Sequence, residues 1–70
     1  MKTTYTAVVK KDSGWWIGWI EEVPGVNCQE NTREGLVESL RVTLREAIEL
    51  NRSEAIEAAG DGFEELEIAV

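Results

Sequence analysis

Apolar and polar positions alternate in the first part of the chain, which predicts a β-hairpin. Residues 4–11 are rich in β-branched and aromatic side chains and contain no glycine or proline, as is typical of a strand. Asp12, Ser13 and Gly14 predict a three-residue hairpin loop, because Asp and Ser suit a type I turn and Gly tolerates a left-handed backbone. A second strand is therefore expected to begin at Trp15.

The hairpin register decides which side chains share a face of the sheet. If Lys11 faces Trp15 across the loop, alternation places two sets of side chains on opposite faces. One face would carry Tyr5, Ala7, Val9, Trp15, Ile17 and Trp19, and the other would carry Thr4, Thr6, Val8, Trp16, Gly18 and Ile20. The turn signal at Val23-Pro24-Gly25 interrupts the second strand, and a short third strand is expected over residues 26–30.

The clearest pattern in the chain is helical. Apolar side chains recur at spacings of three and four residues, namely Leu36, Leu40, Leu44, Ala47 and Ile48. Asn31 or Thr32 is expected to cap this helix, and Gly35 would weaken its first turn by up to about 1 kcal/mol relative to alanine. Near residues 51–53 the helix either stops, with a second short helical turn through Ala59, or continues with a bend.

A second alternating segment follows the glycine-rich residues 60–62. In residues 63–70, Leu66, Ile68 and Val70 share one face, which predicts a closing strand. The predicted order is β-β-β-α-β in a single domain spanning residues 1–70. The fold class is α+β, with an antiparallel-rich sheet that the main helix covers on one face.

The length and the net charge of the chain exclude some classes of function. A chain of 70 residues buries only about 60% of its unfolded surface, so such domains often need additional stabilisation. Cys28 is the only cysteine and the chain has no histidine, so neither a disulfide within the chain nor a zinc site can supply this stabilisation. We therefore expect oligomerisation to supply it. The formal charge of −7 repels nucleic acid and favours encounter with a basic protein, although acidity can also serve solubility alone.

The sequence predicts neither an enzyme nor a membrane protein. Without histidine, Cys28 and the serines lack a general base, and the acids show no converging pattern that would hold a metal or cofactor. Cys28 is interpreted as a small buried hydrophobic residue. No apolar leader precedes the first strand and no run is long enough to span a membrane, so a cytoplasmic location is expected.

The tryptophan-rich hairpin is the candidate site for association. A single helix covers one sheet face, and the expected register assigns to that covered face Tyr5, Ile17 and Trp19, with Trp15, Leu40 and Leu44 also expected in the core. Val8, Trp16 and Ile20 would then form an exposed association surface, since exposed apolar patches and tryptophans mark interfaces. The alternative is that the helix packs against the Trp16 face.

These features together resemble the HicB-like antitoxin family over residues 2–50. The resemblance rests on Tyr5-Thr6-Ala7-Val8-Val9, Gly14-Trp15-Trp16-Ile17-Gly18, the loop ending in Val23-Pro24-Gly25, and a Thr-capped helix over residues 32–50. Pro24 and Gly25, like Trp15, are thus fold markers. The chain departs from the family pattern at Glu21, where a proline is usual, and at Gly35, where an acid is common.

The resemblance implies a fold like a degenerate ribonuclease H domain without catalytic carboxylates. It also implies dimers or larger homo-oligomers, and neutralisation of a small basic HicA-type toxin, an mRNA interferase. Many members add a C-terminal DNA-binding segment, whereas this sequence stops at Val70, so direct binding to nucleic acid is not expected. The alternative function is a stand-alone homo-oligomeric domain with a regulatory or scaffold role.

Overall fold

The computed structural model describes residues 4–70 and contains a three-stranded sheet and one helix. The strands are Ala7–Asp12 (β1), Trp15–Ile20 (β2) and Asn27–Glu30 (β3), and the helix is Arg33–Ala59 (α1). The sheet is antiparallel with the order β1-β2-β3, which confirms the α+β class. Residues 1–3, which include the start of the family resemblance, lie outside the described residues.

The hairpin between β1 and β2 has a two-residue turn, so the predicted three-residue loop is wrong. Asp12 pairs with Trp15 and Lys11 pairs with Trp16. Ser13 and Gly14 both have positive φ, 51° and 88°, which is what a type I′ hairpin turn requires. The register shifts by one residue as a result, and Val8 faces Trp19 while Ala7 faces Ile20.

Side-chain direction reverses with every residue of a strand. The shift therefore places each β2 side chain on the sheet face opposite to the one predicted from the side chains of β1. Ile20 is only 5% exposed and belongs to the core with Val26, Leu36 and Leu40. The partly buried side chains that pack against this core are Tyr5, Val9, Trp16, Val23, Cys28, Leu44 and Ala47. The helix therefore covers the sheet face that carries Trp16. The prediction that Trp16 and Ile20 belong to an exposed surface is wrong.

The helix begins where Thr32 caps it. The Thr32 hydroxyl accepts a hydrogen bond from the Gly35 amide at 3.0 Å, which satisfies one of the amides without a partner in the first turn. A Cβ at Gly35 would lie 2.9 Å from that hydroxyl oxygen. Gly35 is a weak helix former, but its lack of a side chain leaves room for the Thr32 hydroxyl to cap the helix at close range.

The helix continues through residues 51–53 without stopping, which settles the alternative that the sequence left open. Residues 63–70 form no strand in the structure, so the predicted closing strand is wrong. The principal extents are 51 × 23 × 15 Å. Within residues 4–70, no helix has an apolar stretch long enough to cross a membrane.

Candidate functional site

The face of the sheet opposite α1 carries an apolar patch that no helix or strand of residues 4–70 covers. Val8, Trp15, Ile17 and Trp19 point to this side, because they alternate with the helix-facing residues of β1 and β2. Trp15 is 43% exposed and Trp19 is 37% exposed, so both predicted core tryptophans lie at the surface. We call these four residues the aromatic face.

The aromatic face is rimmed by polar side chains. By the same alternation Lys10 lies across from Ile17, and on β3 Gln29 pairs with Ile17 and Asn27 with Trp19. A shallow concavity of about 380 Å³ lies along Trp19, Asn27 and Gln29. An apolar centre with a polar rim is the usual composition of a protein interface.

Val8 is the one residue of the predicted association surface that the structure leaves on an uncovered sheet face. Trp16 is half-buried and Ile20 is buried under the helix. Ile17, predicted in the core, is half-buried on the aromatic face, while Leu40 is buried in the core and Leu44 packs against it. The one signal that would have corrected the assignment is Gly18, since an isolated glycine in a strand often marks a close approach of another element.

The loop between β2 and β3 is hydrogen-bonded to Thr6, the residue that precedes β1. The Glu22 carboxylate accepts a hydrogen bond from the Thr6 amide at 2.8 Å, and the Glu21 amide donates to the Thr6 carbonyl at 2.9 Å. Pro24 and Gly25 are exposed, and Gly25 has a φ of 92°, a conformation that glycine adopts without strain. These two residues shape the turn and do not add to the aromatic face.

A second apolar feature is a groove on the helix side of β1. The helix packs over β2 and β3, and beside β1 it leaves a groove of about 420 Å³. Apolar side chains of the strand region and of α1 line it, including Tyr5, Ala7, Leu44 and Ile48, and it also holds Arg41, Arg45 and Glu49. We call this feature the β1 groove.

The net charge is concentrated at one end of the molecule. Residues 49–70 include seven acidic residues and one arginine, whereas residues 1–48 include seven acidic and six basic residues. Every residue of this acidic arm, defined as residues 49–70, is exposed. Large apolar side chains are exposed there too, namely Leu50, Ile56, Phe63, Leu66, Ile68 and Val70.

Two of the side chains considered for catalysis, Cys28 and Ser39, each take part in a hydrogen bond between β3 and α1. The Cys28 thiol lies 3.5 Å from the Thr43 hydroxyl oxygen, and the residue, which the sequence predicts to be buried, is half-buried against the core. The Glu30 carboxylate accepts a 2.6 Å hydrogen bond from the Ser39 hydroxyl, which links β3 to α1. Within residues 4–70, no three cysteine or acidic side chains cluster closely enough to hold a metal ion.

Comparison of the chain with protein-family models, with curated proteins and with solved structures found no match.

Proposed function

We propose that this protein is a non-catalytic binding module that neutralises a small basic toxin in the manner of HicB-like antitoxins. The observation that carries the proposal is the aromatic face, an uncovered apolar sheet surface with two exposed tryptophans. Tryptophan is among the residues most enriched at the energetic centres of interfaces, where truncation commonly costs about 2 kcal/mol or more. The sequence resemblance supplies the class of partner.

Charge supports a basic partner for this surface. The formal charge is −7, and the acidic arm holds most of it. A field of this sign accelerates encounter with a basic protein, and the subsequent contact depends on apolar burial. The acidic arm would therefore raise the association rate, while the aromatic face would slow dissociation.

Co-expression tests the proposal directly. The chain is produced with the small basic protein encoded beside it, and both co-purification and the rescue of cell growth are measured. We expect a stable complex and restored growth. Absence of a neighbouring basic protein, or of a complex with it, contradicts the antitoxin role.

A double tryptophan variant and a control variant test whether the aromatic face contacts the toxin. Trp15→Ala combined with Trp19→Ala should weaken the complex at least about a hundredfold, which corresponds to the truncation of two central residues. Val42→Ala is the matched control, because Val42 is an exposed apolar residue of α1 and lies on the opposite side of the sheet. Circular dichroism confirms that each variant is folded. Equal binding by all three proteins would exclude the aromatic face as the contact.

A further inference from the structure

The chain leaves α1 through a glycine, an aspartate and a second glycine. Gly60 caps the helix with a φ of 68°, and Gly62 has a φ of 79°. Asp61 between them is exposed. Among residues 4–70, a Cβ at Gly60 or Gly62 would meet no atom within 4 Å beyond the adjoining residues. The surrounding structure therefore leaves space for a change in the geometry of this segment.

The two groups that could react with each other are the Asp61 carboxylate and the Gly62 amide. Neither forms a hydrogen bond or an ion pair with another group of residues 4–70. The helix holds its own amides and carbonyls through hydrogen bonds, and Gly60 ends that order. Aspartate side chains readily approach the backbone amides that follow them. The Gly62 amide nitrogen and Asp61 Cγ can thus meet by rotation about bonds of Asp61.

We propose that Asp61 isomerises to isoaspartate in the folded protein, which makes it a site of covalent modification. The Gly62 amide nitrogen attacks Asp61 Cγ and forms a C–N bond. A side-chain oxygen leaves as water, which takes up the amide proton and the proton of the carboxyl group, and the product is a five-membered succinimide. Water then opens the ring at either carbonyl and gives aspartate or isoaspartate. The water released in the first step is replaced in the second, so no other reactant is consumed.

The local sequence favours closure of the ring. A side chain on the residue after the aspartate crowds the attacking nitrogen, and Gly62 has none. Intramolecular attack requires the reacting atoms to approach within about 3–3.5 Å in a suitable orientation. Because the backbone on both sides of Asp61 is glycine, this orientation is accessible without breaking a contact of the fold.

The other aspartate of the chain has a contrasting environment. Asp12 is the last residue of β1 and pairs with Trp15 across the hairpin. Its carboxylate accepts a 3.4 Å hydrogen bond from the Ser13 hydroxyl. Ring closure at Asp12 would require its backbone to leave the ladder. We therefore expect the modification at Asp61 and not at Asp12.

Isomerisation would change the path of the chain without changing its charge. The backbone of isoaspartate runs through the former side chain and is longer by one methylene, while the α-carboxylate becomes the free acid. The direction in which residues 63–70 leave α1 would then change. The sheet and the core would keep their contacts, since the acidic arm is exposed throughout. This chemistry is independent of the proposed toxin binding.

Incubation of the full chain in ¹⁸O-enriched water at neutral pH tests the proposal. Peptides from a later digest are analysed by liquid chromatography and electron-transfer fragmentation, which distinguish isoaspartate from aspartate and locate it. A sample digested without incubation gives the background. We expect ¹⁸O-labelled isoaspartate at position 61 and unmodified aspartate at position 12. Absence of isoaspartate at position 61, isoaspartate without the label, or equal amounts at both positions would overturn the proposal.

Two substitutions test the ring chemistry. Asp61→Glu keeps the charge but would need a six-membered ring, so the product should be lost. Gly62→Ala should lower the rate of isomerisation several-fold, because its Cβ crowds the amide nitrogen. An unchanged rate in Gly62→Ala would contradict attack by this amide.

Ser13→Gly is the matched control for the effect of the fold, because it gives Asp12 the same following residue as Asp61. Ser13 already has a positive φ, so glycine suits the turn. In the folded variant we expect isoaspartate to form several-fold faster at position 61 than at position 12. In urea, where both segments are unfolded, the two rates should become similar. Equal rates in the folded variant would show that the open segment after α1 does not select Asp61.

Discussion

Gly18 allows the helix to approach the sheet. A Cβ at this position would lie 2.8 Å from the Val8 carbonyl oxygen, 3.1 Å from Leu40 Cδ1 and 3.2 Å from Leu36 Cδ2. Because Leu36 and Leu40 are the buried residues of α1, the missing side chain of Gly18 leaves the space into which they pack. The core is therefore built over a glycine.

Gly18→Ala is expected to destabilise the fold by about 1–3 kcal/mol, because a backbone oxygen cannot move aside as the end of a side chain can. The free energy of unfolding from urea denaturation measures this. Ala7→Ser, at an exposed position of β1, serves as a control for a one-atom insertion elsewhere in the sheet and should change the free energy little. Equal stability of Gly18→Ala and the parent would show that the helix does not pack this closely.

The Thr32 cap is a second contribution from one side chain. Thr32→Ala removes the acceptor of the Gly35 amide and should lower the free energy of unfolding by about 0.5–2 kcal/mol. Thr32→Ser keeps the hydroxyl and should retain most of the stability in the same urea titration. A serine variant as unstable as the alanine variant would mean that the hydroxyl is not the stabilising group.

At the scale of elements, the turn between β1 and β2 determines which side chains the helix covers. Ser13 adopts a φ of 51°, which a non-glycine residue other than Asn or Asp rarely adopts. The two-residue turn nevertheless matches the right-handed twist of the strands better than the alternatives. The register that it sets places Trp16 and Ile20 beneath α1.

Ser13→Asn should stabilise the hairpin, because Asn-Gly is the preferred pair for a type I′ turn. We expect an increase in the free energy of unfolding of up to about 1 kcal/mol, the size of related turn substitutions, and a higher melting temperature. Ser13→Val should have the opposite effect, since a β-branched residue is strained at positive φ. A stabilising valine would indicate the three-residue loop instead.

The helix differs in environment between its two halves. Residues 36, 40, 44 and 47 pack on the sheet, whereas residues 49–59 are exposed throughout. Amide hydrogen exchange of dilute protein should therefore be slow over residues 36–47 and much faster over residues 50–59, since local opening of the second half exposes no core. Uniform protection along α1 would show that the second half is covered.

At the scale of the whole molecule, charge and apolar surface are separated in space. Residues 1–48 are nearly neutral, while the acidic arm holds seven acids and one arginine. The radius of gyration of 15.1 Å exceeds the roughly 11 Å of a compact chain of this length. The arm therefore extends the acidic field away from the sheet, where a basic partner would meet it first.

Neutralising the arm should slow association with the basic partner of the proposed toxin complex. Glu54→Gln with Glu57→Gln should lower the association rate several-fold at low salt, and the difference should shrink as salt screens the field. Glu21→Gln with Glu34→Gln changes the net charge equally outside the arm and is the control. Stopped-flow tryptophan fluorescence measures both. Equal rates would mean that only total charge matters.

The local features of this protein can be predicted from its amino-acid sequence. Apolar spacing predicted the helix, alternation predicted the hairpin, and Thr32 was among the expected caps, because each depends on residues close in the chain. The acidic character followed from composition. Of the residues expected in the core, Leu40 is buried there, while Tyr5 and Leu44 are partly buried and pack against it.

The way in which these elements combine depends on contacts between residues that are far apart in the chain. Alternation states which residues of one strand share a face, but the pairing of two strands and the side that receives a helix depend on packing across the sheet. The positive φ of Ser13 permits a two-residue turn, which sets the register of β1 and β2 one residue away from the predicted one. The close approach of α1 to Gly18 places the helix on the sheet face that carries Trp16. Residues 63–70 have a strand pattern but form no strand, because a strand needs a neighbouring strand for its backbone hydrogen bonds, and alternation within one segment does not determine whether such a neighbour is present.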